Sequence, residues 1–162
     1  MKKPPLRELL ELALLAALMI AGKEALRVIP NVHPVTVLLL LAVILYGADA
    51  LLAVFVFIGV EILLYGFGIW NVMYLIAWPV LILLVLPFRK RRSRVLWAFL
   101  AALHGLLFGA LCAIPYIVTS GVPAAVAYWI AGIPFDVVHC VSNFVLTWFL
   151  LPPLLKAAQR SR

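Results

Sequence analysis

The sequence has 162 residues, of which 67% are hydrophobic and 12% are charged, and its mean hydropathy is +1.21. Soluble domains are about half apolar and about a quarter charged, so a soluble globular domain and a disordered chain are both excluded. A helix that crosses a bilayer needs about 20 apolar residues. The composition therefore predicts an all-α membrane protein in which residues 1–162 form one integral membrane domain.

The net charge of +7 comes from 13 Lys and Arg residues against 6 Asp and Glu residues. In a soluble protein this excess would suggest a nucleic-acid partner. Here the basic residues cluster at the ends of apolar segments, which is typical of a membrane protein, so we expect no nucleic-acid partner. The sequence has no glycine-rich phosphate-binding motif, and any ATP hydrolysis must come from another chain.

The apolar segments predict six transmembrane helices. The first has the basic start of a signal peptide, but Glu8 and Glu11 interrupt it, and Lys23 and Glu24 stand where a cleavage site would be. Proline and glycine separate the later segments, and residues 119–132 are expected to form an outer loop. The predicted spans cover residues 6–29, 35–47, 50–66, 71–87, 95–118 and 134–151.

Three basic groups indicate the orientation of these spans. With six spans the three groups fall on one side, and positive residues mark the cytoplasmic side. The sequence therefore predicts cytoplasmic N and C termini in a multi-pass protein of the cell membrane. The groups are Lys2, Lys3 and Arg7; residues 89–94; and Lys156, Arg160 and Arg162.

Polar side chains within the predicted spans are candidate functional residues, because burying them in a bilayer is costly. Asp136, His139 and Asn143 have the spacing i, i+3, i+7, which places them on one face of a helix. This face is interpreted as a ligand-binding face, or alternatively as an interhelical hydrogen-bond network. A metal site is a third interpretation, although no further His or Cys stands at ligand spacing.

Other candidates lie near the predicted outer ends of the spans. Glu61 is expected either to accept a hydrogen bond from a ligand or to pair with Lys23 or Arg27. Aromatic residues in the same half are expected to stack on a ligand or enclose it, although an interfacial aromatic belt is the alternative for some of them. The aromatic candidates are Tyr74, Trp78, Tyr116 and Trp129.

Ala13, Ala17 and Ala21 fall at i, i+4 and i+8 in the first span. Such a stripe of small residues lets another helix approach closely. The partner helix is either in this chain or in a different subunit.

The six-span pattern, the alanine stripe and four longer strings resemble the substrate-binding S components of energy-coupling factor (ECF) transporters. The strings are residues 29–35, 61–68, 105–116 and 132–144. The resemblance covers nearly the whole chain, but the motifs of the thiamin and riboflavin members are not recognisable in it.

The resemblance implies a subunit without cofactor or catalytic activity, located in a prokaryotic plasma membrane, that captures a vitamin-like micronutrient from outside. It implies that Ala13, Ala17 and Ala21 contact a transmembrane T subunit, which connects to two ATPase subunits. It also implies a pocket among the outer ends of spans four to six and the first outer loop. Two alternatives stay open: a small intramembrane enzyme that uses Asp136 and His139 as acid and base, and a structural subunit without a ligand.

Overall fold

A computed structural model describes residues 4–160, and helices account for 87% of it, with no strand in that range. The basic residues Lys2, Lys3 and Arg162 lie outside the described residues. The helices are α1 (Leu6–Ala25), α2 (Val35–Tyr46), α3 (Ala50–Tyr65), α4 (Ile69–Val85), α5 (Arg94–Ser120) and α6 (Val122–Arg160), with short 3₁₀ turns at Gly47–Asp49 and Leu86–Phe88.

Four segments of this fold are long and apolar enough to cross a bilayer. They contain between 20 and 39 residues each, and about 20 residues suffice to cross the hydrocarbon core. The chain therefore has the helical character of a membrane protein. The segments are Val35–Tyr65, Ile69–Phe88, Arg94–Ser120 and Val122–Arg160.

The segment Val35–Tyr65 contains two antiparallel helices. Pro34, just before α2, packs against Gly22 near the end of α1, whereas the Tyr46 hydroxyl at the end of α2 donates a hydrogen bond to Glu11 near the start of α1. The chain then reverses its direction. The contact between Lys23 of α1 and Glu61 near the end of α3 shows this reversal. Gly47, with φ 66°, occupies this turn, as the sequence predicted.

We call the end of the bundle where α2 meets α3 the basic end. Residues 86–94, which join α4 to α5, lie at the same end, because the Arg89 guanidinium lies against Gly47. Arg94, at the start of α5, donates to the Trp148 carbonyl of α6. The opposite end holds the connections from α1 to α2, from α3 to α4 and from α5 to α6.

Helix α2 lies at the centre of the bundle and contacts each of the other five helices. All of residues 35–43 are buried, which explains why this segment is apolar on every face rather than on one stripe. The other helices surround it and expose many large apolar side chains, as expected of surfaces that face lipid.

The prediction of an outer loop at residues 119–132 is wrong. Helix α5 continues to Ser120, a single residue, Gly121 with φ 84°, makes the turn, and α6 runs from Val122 to Arg160. Prolines that were expected to end the last span, Pro152 and Pro153, lie inside α6. Helices in membranes tolerate proline because neighbouring groups satisfy the freed backbone atoms. At about 1.5 Å per residue, α6 is about 58 Å long and exceeds the bilayer core of about 30 Å.

The first helix is shorter than predicted. It ends at Ala25 rather than near Ile29, and residues 26–34 form a connection of turns. Asn31 has a φ of 58°; its side chain donates to the Phe135 carbonyl at 3.0 Å, and its carbonyl accepts from Ser142 at 2.8 Å. These bonds hold the connection against α6.

Candidate functional site

The three histidines of the chain converge inside the bundle. His33 comes from the connection between α1 and α2, His104 from α5 and His139 from α6, and Trp78 of α4 and Phe108 of α5 pack among them. The ring centroids of His33 and His139 are 5.1 Å apart, those of Phe108 and His139 4.8 Å, and those of Trp78 and His104 5.7 Å. We call these five side chains the histidine cluster.

Several polar atoms of the histidine cluster have no hydrogen-bond partner among residues 4–160. They are His33 Nδ1, Trp78 Nε1, His104 Nδ1 and both ring nitrogens of His139. A buried polar atom without a partner costs about 1–3 kcal/mol. So many of these atoms in one place mark a position where a polar ligand or water would form bonds.

The hydrogen-bonding roles in the cluster follow from two further observations. His104 Nε2 lies 2.9 Å from the Ala77 carbonyl oxygen, so Nε2 carries the proton and Nδ1 is an acceptor. Burial and the nearby Lys23 ammonium lower the pKa of His33 to about 4, so its ring is neutral at pH 7. Because the Trp78 indole only donates, the cluster offers both donors and acceptors.

Asp136, His139 and Asn143 lie on one buried face of α6, with 3%, 0% and 1% of their surfaces exposed. Asp136 Oδ1 accepts a hydrogen bond from the Gly109 backbone N–H at 2.8 Å, and Asn143 Nδ2 donates to the Ala101 carbonyl at 3.3 Å. The two outer members of the face therefore bond to α5. The ring of His139, which lies between them, makes no hydrogen bond within the described residues.

Glycine on α5 allows this face to approach closely. A Cβ atom on Gly105 would lie 2.8 Å from Asn143 Nδ2 and 2.8 Å from the His139 carbonyl oxygen. A Cβ atom on Gly109 would overlap the Asp136 carboxylate. The two glycines are one turn apart, so α5 has a strip of surface without side chains opposite the polar face.

A cavity of about 370 Å³ adjoins the histidine cluster and shares Phe108 with it. The Asp136 carboxylate lines this cavity, and its Oδ2 atom has no partner within the described part of the chain. Small-molecule pockets measure about 300–1,000 Å³, so the cavity is large enough for a small ligand. Its other lining residues are Asn31, Gly109, Cys112, Tyr128, Ala131, Gly132 and Phe135.

Glu61 belongs to a different group of side chains. Its carboxylate contacts the Lys23 ammonium at 2.5 Å, which is the pairing that the sequence offered as one of its alternatives. The same ammonium lies 5.4 Å from the Tyr65 ring and 5.9 Å from the Tyr74 ring. Tyr74 links this group to the histidine cluster, because its ring lies 5.9 Å from that of Trp78.

The remaining aromatic candidates lie towards the turn between α5 and α6. Tyr116 packs against Tyr128 at 4.6 Å, and Trp129 is 42% exposed. The fold thus brings Asp136, His139, Asn143, Tyr74 and Trp78 together and leaves Tyr116 and Trp129 apart. Their roles stay predictions.

The sequence did not single out three members of the site. They are His33, His104 and Phe108, none of which is among the candidate residues of the sequence analysis. The signal available for the two histidines was that the chain has only three histidines, each within or beside an apolar segment.

No group of three or more His, Cys, Asp or Glu suited to a metal ion occurs in residues 4–160.

Comparison of the chain with protein-family models, curated proteins and solved structures gives no match. The resemblance to S components therefore stays an expectation, and function is inferred from the residues and their geometry.

Proposed function

We propose that this protein is the substrate-binding subunit of an ECF-type uptake transporter in the cell membrane. In this proposal all six helices cross the bilayer, both termini are cytoplasmic, and the end opposite the basic end faces outside. The protein captures a vitamin-like micronutrient and has no catalytic activity of its own. The observation that supports the proposal most is the set of buried polar atoms without partners in the histidine cluster.

The proposed ligand is a small, flat, uncharged molecule with both donors and acceptors. Trp78 and Tyr74 stack against it or enclose it, while His33, His104 and His139 bond to it. Asp136, through its free Oδ2 atom, contacts a part of the ligand in the adjoining cavity. Asn143 supports the site through its bond to α5. Glu61 neutralises the positive charge of Lys23 beside the site.

The geometry of Asp136 and His139 supports a binding role more than an enzymatic one. An acid and base that act together need hydrogen-bond reach to a common substrate atom. Asp136 Oδ1 is engaged by Gly109, and neither ring nitrogen of His139 bonds to a carboxylate in the described residues. We therefore favour binding over catalysis.

The test of binding is to purify the protein in mild detergent and identify any co-purified small molecule by mass spectrometry. The candidate is then added back to ligand-free protein, and its affinity is measured by titration calorimetry. We expect one stoichiometric, uncharged ring compound. Stoichiometric release of a chemically altered compound on prolonged incubation would instead indicate the enzyme. Repeated purification without any bound compound, and no binding by candidate micronutrients, would favour a structural subunit.

The proposed contact with a T subunit is at the alanine stripe of α1. Ala13, Ala17 and Ala21 are all exposed, so the stripe does not pack against a helix of this chain within the described residues. We propose that a T-subunit helix covers it and that two ATPase subunits drive uptake through that contact.

Replacing Ala17 by Leu tests the contact. The larger side chain blocks close helix approach, so uptake by cells that express all subunits should fall to background while the isolated protein keeps its ligand affinity. Ala127→Leu, at an exposed alanine of α6, is the matched control and should leave uptake intact. Loss of uptake in both variants, or unchanged uptake in Ala17→Leu, would contradict the contact.

A further inference from the structure

A second large cavity lies at the basic end, and none of its lining residues belongs to the histidine cluster. Its volume is about 740 Å³, which is within the range of small-molecule pockets. It is formed by the end of α2, the connection between α4 and α5, the start of α5 and the last turns of α6. The lining residues are Ile44, Leu45, Arg89, Lys90, Arg91, Arg92, Arg94, Trp97, Leu151, Pro152, Leu155 and Gln159.

The charge of this cavity is one-sided. Five of its lining residues are basic and none is acidic. No carboxylate among residues 4–160 lies within ion-pair distance of these five side chains. The acidic residues at this end are Glu8 and Glu11 of α1 and Asp49 of the 3₁₀ turn, and none of them lines the cavity.

Apart from Gln159, the rest of the lining is apolar. Ile44 and Leu45 of α2 and Leu151 and Leu155 of α6 contribute apolar side chains to it. Trp97 donates from its indole Nε1 to the Arg91 carbonyl at 3.0 Å, which holds the basic segment beside this apolar wall. A ligand that matches both parts must join an anionic group to a hydrocarbon group.

We propose that this cavity binds an anionic phospholipid of the membrane leaflet at the basic end. Its phosphate contacts the side chains of residues 89–92, and the upper part of its acyl chains lies along the apolar wall. A free phosphate ion matches the basic residues but leaves the apolar wall without a partner. Basic pockets between helices on the cytoplasmic side are suited to anionic headgroups, and each basic residue near an anionic surface adds attraction.

The test compares variants that remove the same charge at the same end of the bundle. Arg89→Gln with Arg91→Gln removes two charges from the cavity. Lys156→Gln with Arg160→Gln removes two charges from α6 at residues that do not line it. Each protein is purified, mixed with phosphatidylcholine vesicles with or without phosphatidylglycerol, re-extracted, and analysed for retained lipid by native mass spectrometry. If the first pair does not fold, Lys90→Gln with Arg92→Gln replaces it, because Arg89 then keeps its contact with Gly47 and Arg91 its bond from Trp97.

We expect the wild type and the α6 control to retain phosphatidylglycerol in preference to phosphatidylcholine. Affinity of the cavity variant for phosphatidylglycerol should fall about 30-fold, which is about 2 kcal/mol at about 1.4 kcal/mol per decade. Equal losses in both variants would overturn the proposal in favour of general attraction to an anionic surface. Displacement of the lipid by millimolar inorganic phosphate would identify a soluble anion as the ligand and would also overturn it.

Discussion

A neutral imidazole has one nitrogen that donates and one that accepts, and His139 uses neither within the described residues. Asp136 and Asn143, one turn to either side, are each bonded to the α5 backbone. Interhelical bonding is thus observed for Asp136 and Asn143, while ligand contact at this face stays a prediction. Asp136 Oδ1 and Asn143 connect helices, whereas His139 is the residue most suited to a ligand.

Replacing His139 by Ala should weaken ligand binding by up to about tenfold, because one net hydrogen bond contributes about 0.5–1.5 kcal/mol and about 1.4 kcal/mol corresponds to a factor of ten. The measurement is the dissociation constant of the co-purified ligand together with the melting temperature in detergent. Thr147→Ala is the control, because Thr147 is also fully buried on α6 but lines neither cavity. A His139→Ala protein that is less stable but binds with wild-type affinity would mean that His139 only packs the bundle.

The helical period was enough to predict that Asp136, His139 and Asn143 share a face. It was not enough to predict their neighbours. His33 reaches His139 because Asn31 takes up a positive φ and bonds to two places on α6. Such a contact between residues more than 100 positions apart depends on the whole fold, and no local pattern encodes it.

Helix boundaries were predicted well where a glycine or proline coincides with a reversal of the chain, as at Gly47 and at the start of α2 after Pro34. They were predicted poorly around α6. There Pro134, Pro152 and Pro153 look like breaks, yet the helix continues through all three. In a bilayer the alternative to a helix is an unsatisfied backbone, so proline ends a helix less readily than it does in water.

Helices α5 and α6 form the most extensive pair in the fold, and Gly109 of α5 packs directly against Asp136 of α6. Gly109→Ala should lower the free energy of unfolding by about 1–3 kcal/mol, because the added methyl group overlaps the Asp136 carboxylate. Gly59→Ala in α3 is the matched control, since a Cβ there meets nothing within 4 Å, and it should be neutral or stabilising by up to about 1 kcal/mol. Reversible unfolding in mixed micelles measures both. Equal stability of the two variants would show that α5 and α6 are further apart at this level.

On the scale of the molecule, the two ends of the bundle differ in whether their charged side chains form ion pairs. At the opposite end, Lys23 is paired with Glu61 at 2.5 Å and Arg27 with Glu24 at 3.8 Å. At the basic end, the side chains of residues 89–92 have no carboxylate partner in the described ranges. Unpaired positive charge resists transfer across the membrane, so the two ends are not equivalent for insertion.

This asymmetry predicts the orientation. Reporters inserted near Arg92 and fused at Arg162 should both read cytoplasmic, and one inserted at Gly121 should read external. The six helices alternate in direction, so residue 92 and the end of α6 lie at one end of the bundle, while the turn at Gly121 lies at the other. Cysteine accessibility in intact cells is an independent measurement that uses single substitutions at the same sites in a chain without Cys112 and Cys140. An external signal near Arg92 would contradict the orientation, and the same side for Arg92 and Gly121 would contradict the crossing of the bilayer by α5.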